Sequence, residues 1–204
     1  KKQTKANIKT LKAKVEQTTL SAGGELTELL LDPLINAKAD VNVNLADFKR
    51  YITSDNPSNA MSGRAKGQIS AKARLSDITN MRLQKTRLAA NLNLANLDVN
   101  YDSIYIKSPA DSLQANIPNN TPSKPTTAWA RLKLSPQQLS VLIPGSLDAN
   151  LAKSTIDAEV SNILSKQKML YANVTLESDN LSVEMDSLAA QVEKPQLKAY
   201  VEYN

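Results

Sequence analysis

Three aspartates lie close together in the middle of the chain, at Asp98, Asp102 and Asp111. A pair of carboxylates is what a glycoside hydrolase needs, one as general acid and the other as nucleophile or base. Spacing along the chain is weak support for such a pair, and Ser182 replaces Asp98 in a similar segment further along. Asp102 and its counterpart Asp186 each precede a serine between apolar runs, a pattern that favours a tight turn over catalysis.

The composition excludes most other catalytic and metal chemistry. The 204 residues include no Cys and no His, so cysteine nucleophiles, disulfides, zinc thiolates and histidine-based triads are absent. We therefore predict a protein that is not an enzyme and that carries no cofactor or metal. Its function should depend on architecture.

The chain has 25 Lys and Arg against 20 Asp and Glu, a formal net charge of +5. The basic residues are spread over several segments with acids between them, which favours solvated strand faces over a dedicated polyanion site. One Trp and one Phe provide few platforms for stacking nucleic-acid bases. We predict no nucleic-acid partner.

The elements that would position these residues are β-strands. Apolar and polar residues alternate through most of the chain, which predicts strands with one dry and one wet face. The clearest run extends from Met61 to Leu75, where every second residue is apolar or glycine. A change of phase between Ile8 and Leu11 predicts a β-bulge near Thr10.

Two segments break the alternation and predict short helices. Leu45–Ile52 has Phe48 and Ile52 at helical spacing, and Ser135–Ile143 begins with a Ser-Pro-Gln-Gln sequence typical of a helix start. The predicted fold is therefore mostly β, an elongated and twisted antiparallel sheet (trough or sandwich-like) built from repeats, with two short helices.

Parts of the chain repeat one another, which is typical of an array of similar units. The strongest match pairs Leu97–Ile104 with Leu181–Leu188 at an offset of 84 residues, with four identical positions. Two further matches pair Leu88–Leu92 with Leu170–Val174 and Ser76–Ile78 with Ser161–Ile163. We predict the tail of a preceding β-repeat at 1–44, a first repeat at 45–118, a linker at 119–127 and a second repeat at 128–204, each repeat starting with a short helix.

The segment Leu26–Ala39, which contains Asp32-Pro33, resembles a motif of the AsmA/TamB-like family of Gram-negative envelope proteins. In that family a strand ends in a turn with Asp-Pro, and the next strand leads into a helical turn that Leu45–Ile52 resembles. The Asn- and Asp-rich strand pattern of Leu88–Tyr101 is also similar. The second copy lacks Asp-Pro and the aromatic helix residues, so it departs from the family pattern.

This resemblance implies a trough-like β-sheet in the periplasm of a Gram-negative bacterium, tethered to the inner membrane by a segment outside this chain. It also implies a role in outer-membrane assembly or phospholipid transport, with a phospholipid or other lipid, flanking repeats and a membrane anchor as partners. The long strands with aliphatic faces suit an apolar groove for acyl chains. The alternative is a structural β-repeat scaffold or surface adhesin in which the same faces close on each other as a core.

The residues that would face lipid, or form that core, lie on two pairs of strand segments in the matched blocks. They are Leu88, Ala90, Leu92, Leu94, Leu97 and Val99 in the first copy, and Leu170, Ala172, Val174, Leu176, Leu181, Val183 and Met185 in the second.

Overall fold

The computed structural model describes residues 4–49, 56–80, 82, 85–117, 128–164 and 167–203. They form one open antiparallel sheet of 14 strands, as the alternation predicted. The strands are β1 (Lys5–Val15), β2 (Thr18–Thr27), β3 (Leu34–Asn44), β4 (Ala60–Arg74), β5 (Arg87–Tyr101), β6 (Ile104–Ile117), β7 (Ala128–Pro136), β8 (Gln138–Ile143), β9 (Leu147–Ala152), β10 (Thr155–Leu164), β11 (Gln167–Glu177), β12 (Asn180–Met185), β13 (Leu188–Glu193) and β14 (Gln196–Tyr203).

Two short helical segments accompany the sheet, a 3-10 turn at Leu45–Phe48 and helix α1 at Leu75–Thr79. The 3-10 turn lies where the first helix was predicted. The second predicted helix, at Ser135–Ile143, is wrong, because the structure has the end of β7 and the whole of β8 there. The strands of this segment pair with β6, β9 and β10. This pairing overrides the local helix-capping signal, because tertiary contacts often outweigh the helix propensity of a short segment.

The sheet contains a ladder of ten strands with simple connections. Strands β1 to β7 follow one another in order, and β10, β11 and β14 complete the ladder. The remaining four strands form a branch that starts at β6, in the order β8, β9, β12 and β13. The predicted bulge near Thr10 is confirmed by a register shift between Ile8 and Leu11 in the β1–β2 pair.

The register places the apolar residues of neighbouring strands directly opposite one another. Gly67 of β4 lies opposite Val41 of β3 and Leu92 of β5, and Val174 of β11 lies opposite Ala158 of β10. Opposite residues in an antiparallel pair share one face of the sheet. We call this side the apolar face and the other side the polar face.

A row of irregular residues crosses seven strand lines of the sheet, and we call it the bulge row. It is made of Gly63 in β4, Asn96 in β5, Pro109 in β6, Gln137 between β7 and β8, Lys153-Ser154 between β9 and β10, Ser178-Asp179 between β11 and β12, and Lys194-Pro195 between β13 and β14. Gly63, Asn96, Lys153 and Lys194 have positive φ angles, which is typical of bulged residues. Backbone hydrogen bonds join the row across strands, such as Lys153 N–H to Gln137 O at 2.8 Å.

The bulge row explains why the apolar alternation changes phase along several strands. The residue numbers of leucines on either side of the row differ by an odd number, as for Leu134 and Leu139 or for Leu176 and Leu181. In an uninterrupted strand such a step would move the side chains to the opposite face. The additional residue at each bulge returns them to the apolar face, which therefore continues through the row.

The sheet is a single layer, and the described residues contain no second layer that packs on it. The chain exposes 13842 Å², whereas a compact monomer of 22.2 kDa would expose about 9,400 Å². Among the described residues few apolar side chains are buried, namely Val41, Ala65, Ala73, Ala90, Pro136, Leu139, Leu151 and Pro195. Most apolar-face side chains are shielded only by their lateral neighbours.

The division into a tail and two repeats stays a prediction. Leu97–Ile104 and Leu181–Leu188 do form the same structure, a hairpin with a two-residue turn. The weaker match of Ser76–Ile78 with Ser161–Ile163 does not, since the first is in α1 and the second in β10. The predicted linker at 119–127 lies outside the described residues.

Candidate functional site

The predicted lipid-facing residues all lie on the apolar face, in two groups. Those of the first copy are on β5 and those of the second are on β11 and β12. Three strands separate β5 from β11 in the ladder, which places the two groups about 19 Å apart at the usual strand spacing. The structure therefore brings them to one surface but not to one compact site.

These side chains are partly shielded and none lies in a closed core. Ala90 is buried, Met185 is exposed, and the other predicted residues whose burial is described are half-buried. Neighbouring strands contribute further aliphatic residues at matching positions, such as Leu113, Leu134 and Leu197. The candidate surface is thus wider than the two groups that the sequence indicated.

The larger cavities of the structure open on the polar face. One of about 650 Å³ is lined by Asn36, Lys38, Ser70, Lys72, Arg87, Asn116 and Arg131, together with backbone-adjacent residues of the apolar face. A second of about 430 Å³ adjoins it and shares Lys38 and Ser70. A ligand held on the apolar face would therefore lie on an open surface, and these cavities lie on the opposite side of the sheet.

Asp32, the aspartate of the family-like Asp-Pro turn, has a structural role. Its Oδ1 accepts a hydrogen bond from the Ser76 N–H at 3.0 Å, and its Oδ2 accepts one from the Ser76 hydroxyl at 2.7 Å. These two bonds lower the pKa of Asp32, and they cap the start of α1, where backbone N–H groups lack partners within the helix. The Asp-Pro turn of one hairpin therefore holds the helix that follows β4.

Asp47, in the 3-10 turn, stabilises the β1–β2 hairpin in the same manner. Its Oδ2 accepts hydrogen bonds from the Thr18 N–H and hydroxyl, both at 2.8 Å, and from the Gln17 N–H at 3.1 Å. Burial opposes ionisation, but the bonds from Thr18, Gln17 and Asn44 outweigh it and lower the pKa of Asp47. Both aspartates that carry the family resemblance thus satisfy backbone donors of neighbouring turns.

The three aspartates considered first for catalysis lie in three different places. Asp98 is on the polar face and forms an exposed ion pair with Lys107 at 3.4 Å. Asp102 is in the β5–β6 turn, with φ of 48°, and accepts a hydrogen bond from Asn56. Asp111 lies in register with Leu94 on the apolar face. The structure does not bring these carboxylates together as an acid and base pair.

Asp111 is nevertheless unusual, because it is a buried carboxyl next to the bulge row. The Ser108 hydroxyl lies 2.5 Å from Asp111 Oδ1 and 2.5 Å from the Gln138 carbonyl oxygen. A serine hydroxyl has one hydrogen, so it cannot donate to both. The proton on Asp111, when present, can be donated to Ser108, which then donates to Gln138. Burial raises the pKa of Asp111, against the effect of the Ser108 hydrogen bond.

Two functional features were missed in the sequence. The bulge row was detectable from the odd spacing of leucines along four strands, but its alignment across strands depends on the register. The clustering of cations on the polar face was also missed, because Lys38, Lys72 and Arg87 are far apart along the chain and meet only when β3, β4 and β5 pair.

Comparison with known proteins gave no match: no family model, no curated protein and no solved structure is similar to this chain. The resemblance to AsmA/TamB-like proteins thus stays an expectation. Within the described ranges, no helix is long and apolar enough to cross a membrane. The same ranges contain no group of three or more acidic side chains placed to hold a metal ion.

Proposed function

We propose that this chain is a non-enzymatic, AsmA-like module of the bacterial envelope that handles phospholipid, with acyl chains lying on the apolar face. The observation that carries the proposal is the register, which aligns aliphatic side chains across ten strands of a single-layer sheet. A surface of this size without a covering layer needs an apolar occupant in water.

The chemistry of the face suits acyl chains. Its side chains are mainly Ala, Val, Leu and Ile, which offer an aliphatic surface. The polar residues Ser108 and Asp111 on this face are buried and hydrogen-bonded to each other. Burying one methylene contributes about 0.8 kcal/mol, so a sixteen-carbon chain that leaves a bilayer for water faces about 13 kcal/mol. An apolar face that continues through the bulge row would keep such a chain covered along the whole path.

The test uses polar substitutions on the apolar face, Leu92→Asn and Val174→Asn. Both residues are half-buried, so we expect the fold to survive and binding of a fluorescent fatty acid or phospholipid to weaken about tenfold, the effect of losing one side chain of apolar contact. Thr175→Asn, one residue from Val174 but on the polar face, is the matched control and should bind normally. Purified protein without extractable phospholipid and without uptake of the fluorescent lipid would contradict the proposal.

A structural scaffold is the second candidate, and the unpaired edges of the sheet favour it. Within the described ranges, β1 and β14 each pair on one side only, so further strands or a second layer can join the sheet. If the scaffold proposal is right, Leu92→Asn and Val174→Asn should unfold the assembled protein, because they bury an unpaired amide. Thermal unfolding of the two variants separates the candidates.

A further inference from the structure

The polar face carries an unusual distribution of charge. Its described cations on β1 to β7 that form no ion pair are Lys9, Lys12, Lys14, Lys38, Arg64, Lys66, Lys72, Arg87 and Lys133. The acids of that region are few: Glu25 is paired with Lys5 and Asp98 with Lys107, and Asp40 accepts a hydrogen bond from Gln68. Further acids of this face, Asp157, Glu159 and Glu177, lie on β10 and β11.

Lys72 and Arg87 form the centre of this basic region. They lie directly opposite each other on β4 and β5, an arrangement that is destabilising for like charges. Lys38, on β3, lies opposite Ser70 in the adjacent register position, and all three line the cavity of about 650 Å³. No described acid pairs with any of them, whereas Arg131 at the far wall holds Asp157 in two hydrogen bonds of 2.9 and 2.5 Å.

A cluster of like charges in exact cross-strand register costs stability, and such local conflicts are characteristic of functional sites. The neutral residues between the cations, Asn36, Ser70 and Asn116, add hydrogen-bond donors to the same cavity. Cations with intervening amide and hydroxyl donors form the chemistry that recognises phosphate oxygens.

We propose that the basic region of the polar face, centred on Lys38, Lys72 and Arg87, binds the phosphate groups of an anionic lipid surface. The cations are distributed both across the strands, from β1 to β7, and along each strand. They therefore form a two-dimensional array that matches a layer of headgroups. On β1 to β7 the one described aromatic side chain of the polar face, Tyr105, lies at the opposite end of the sheet from Lys72 and Arg87, so the basic region offers little for nucleic-acid bases to stack on. The proposal adds a second lipid contact, on the side of the sheet opposite to the acyl-binding face.

The experiment measures binding of the whole chain to vesicles of phosphatidylcholine, alone and with one third phosphatidylglycerol. We expect binding to increase with phosphatidylglycerol and to decrease as salt is added. The double variant Lys72→Gln/Arg87→Gln should bind the anionic vesicles about 25-fold more weakly, about fivefold for each cation lost. Its unfolding temperature should be unchanged or slightly higher, because a repulsive pair has been removed.

The matched control is Lys194→Gln/Lys198→Gln, which removes the same charge from exposed lysines outside β1 to β7. It should weaken binding by no more than about twofold. Equal losses in the two double variants would overturn the proposal, since they would show an effect of net charge alone. Two further results would also overturn it. One is binding that does not change with the phosphatidylglycerol content, and the other is displacement of the protein from the vesicles by single-stranded DNA at the same phosphate concentration. Fluorescent fatty-acid binding, measured on the same variants, should be unaffected and reports on the apolar face separately.

Discussion

The hairpin of β5 and β6 and the strands β11 to β14 have similar sequences, yet only in the first do the strands continue through the bulge row. In the first, β5 and β6 both continue through the row, and only Asn96 and Pro109 are left out between Ala95 opposite Ala110 and Leu97 opposite Ser108. In the second the ladder stops at Glu177 opposite Gln196 and resumes at Asn180 opposite Glu193.

The difference has a local cause. At the offset of 84 residues, Pro195 stands where the first hairpin has Asp111. Proline has no N–H to donate to a ladder. The first hairpin has its own proline, Pro109, within the continuous β6, so the break in the second goes with the position of Pro195, directly after Lys194 with its positive φ of 50°. Two backbone bonds close the gap, from Ser178 N–H to Pro195 O at 3.3 Å and from Lys194 N–H to Asp179 O at 3.0 Å. The comparison shows that one pattern of alternation makes both hairpins, while single residues at the bulge row decide whether the strands are continuous.

The largest effect is expected where β4 packs against the continuous hairpin. A Cβ on Gly67 would collide with the carbonyl oxygen of Asn91, so Gly67→Ala should destabilise the protein by about 2–4 kcal/mol. Ala158→Val, next to the interrupted hairpin at the position opposite Val174, enlarges a half-buried side chain on a single-layer sheet and should cost less than about 1 kcal/mol. Urea unfolding measures both. A similar loss of stability in the two variants would show that the Gly67 backbone does not lie unusually close to the Asn91 carbonyl oxygen.

A smaller and pH-dependent effect is expected at Asp111, which the second hairpin lacks. Because burial raises the pKa of Asp111 in the folded state, its contribution to stability is fully present below the unfolded pKa of about 3.9 and is lost as the pH rises through the folded pKa. Asp111→Asn keeps a donor to Ser108 without a charge. It should raise stability at pH 7.5 by about 1 kcal/mol, the scale of one buried hydrogen bond, and give no gain near pH 3.5.

Urea unfolding of the wild type and Asp111→Asn at the two pH values provides this measurement. Asp32 and Asp47 act in the opposite direction, because their lowered pKa values contribute stability above about pH 3.9 that is lost as the pH falls. Both remain in the variant, so they cancel in the difference. A constant difference in the free energy of unfolding between the two proteins at all pH values would contradict a raised pKa of Asp111.

The smallest effect is expected at the two hairpin turns. Asp102 and Ser103 both have positive φ, 48° and 67°, whereas in the matching turn only Asp186, at 48°, does. Glycine adopts positive φ without steric cost, so Ser103→Gly should stabilise the protein by about 0.5–1 kcal/mol. Ser187→Gly should be neutral or slightly destabilising. Thermal unfolding of the pair checks this, and an equal gain in both turns would show that they share one geometry.

Much of the fold was predictable from local pattern. The 15 residues of β4, the bulge after Ile8 and the turns at Asp102 and Asp186 follow from alternation and from residues that tolerate tight turns. Helix α1 was missed because Leu75 continues the alternation of β4, and only the tertiary cap from Asp32 stops the strand at Arg74. The helix predicted at Ser135–Ile143 failed for the converse reason, since strand partners on both sides outweigh a capping signal.

By itself, the sequence determined that this protein is built of long amphipathic strands, because side-chain direction in a strand depends only on the parity of the residue number. It also determined which chemistry is missing, since no fold can supply Cys or His. Only the tertiary structure decided which strands lie side by side. That pairing aligns the apolar residues into one face, places the bulges in a row, and brings Lys72 opposite Arg87, because register is set by the contacts of all strands together.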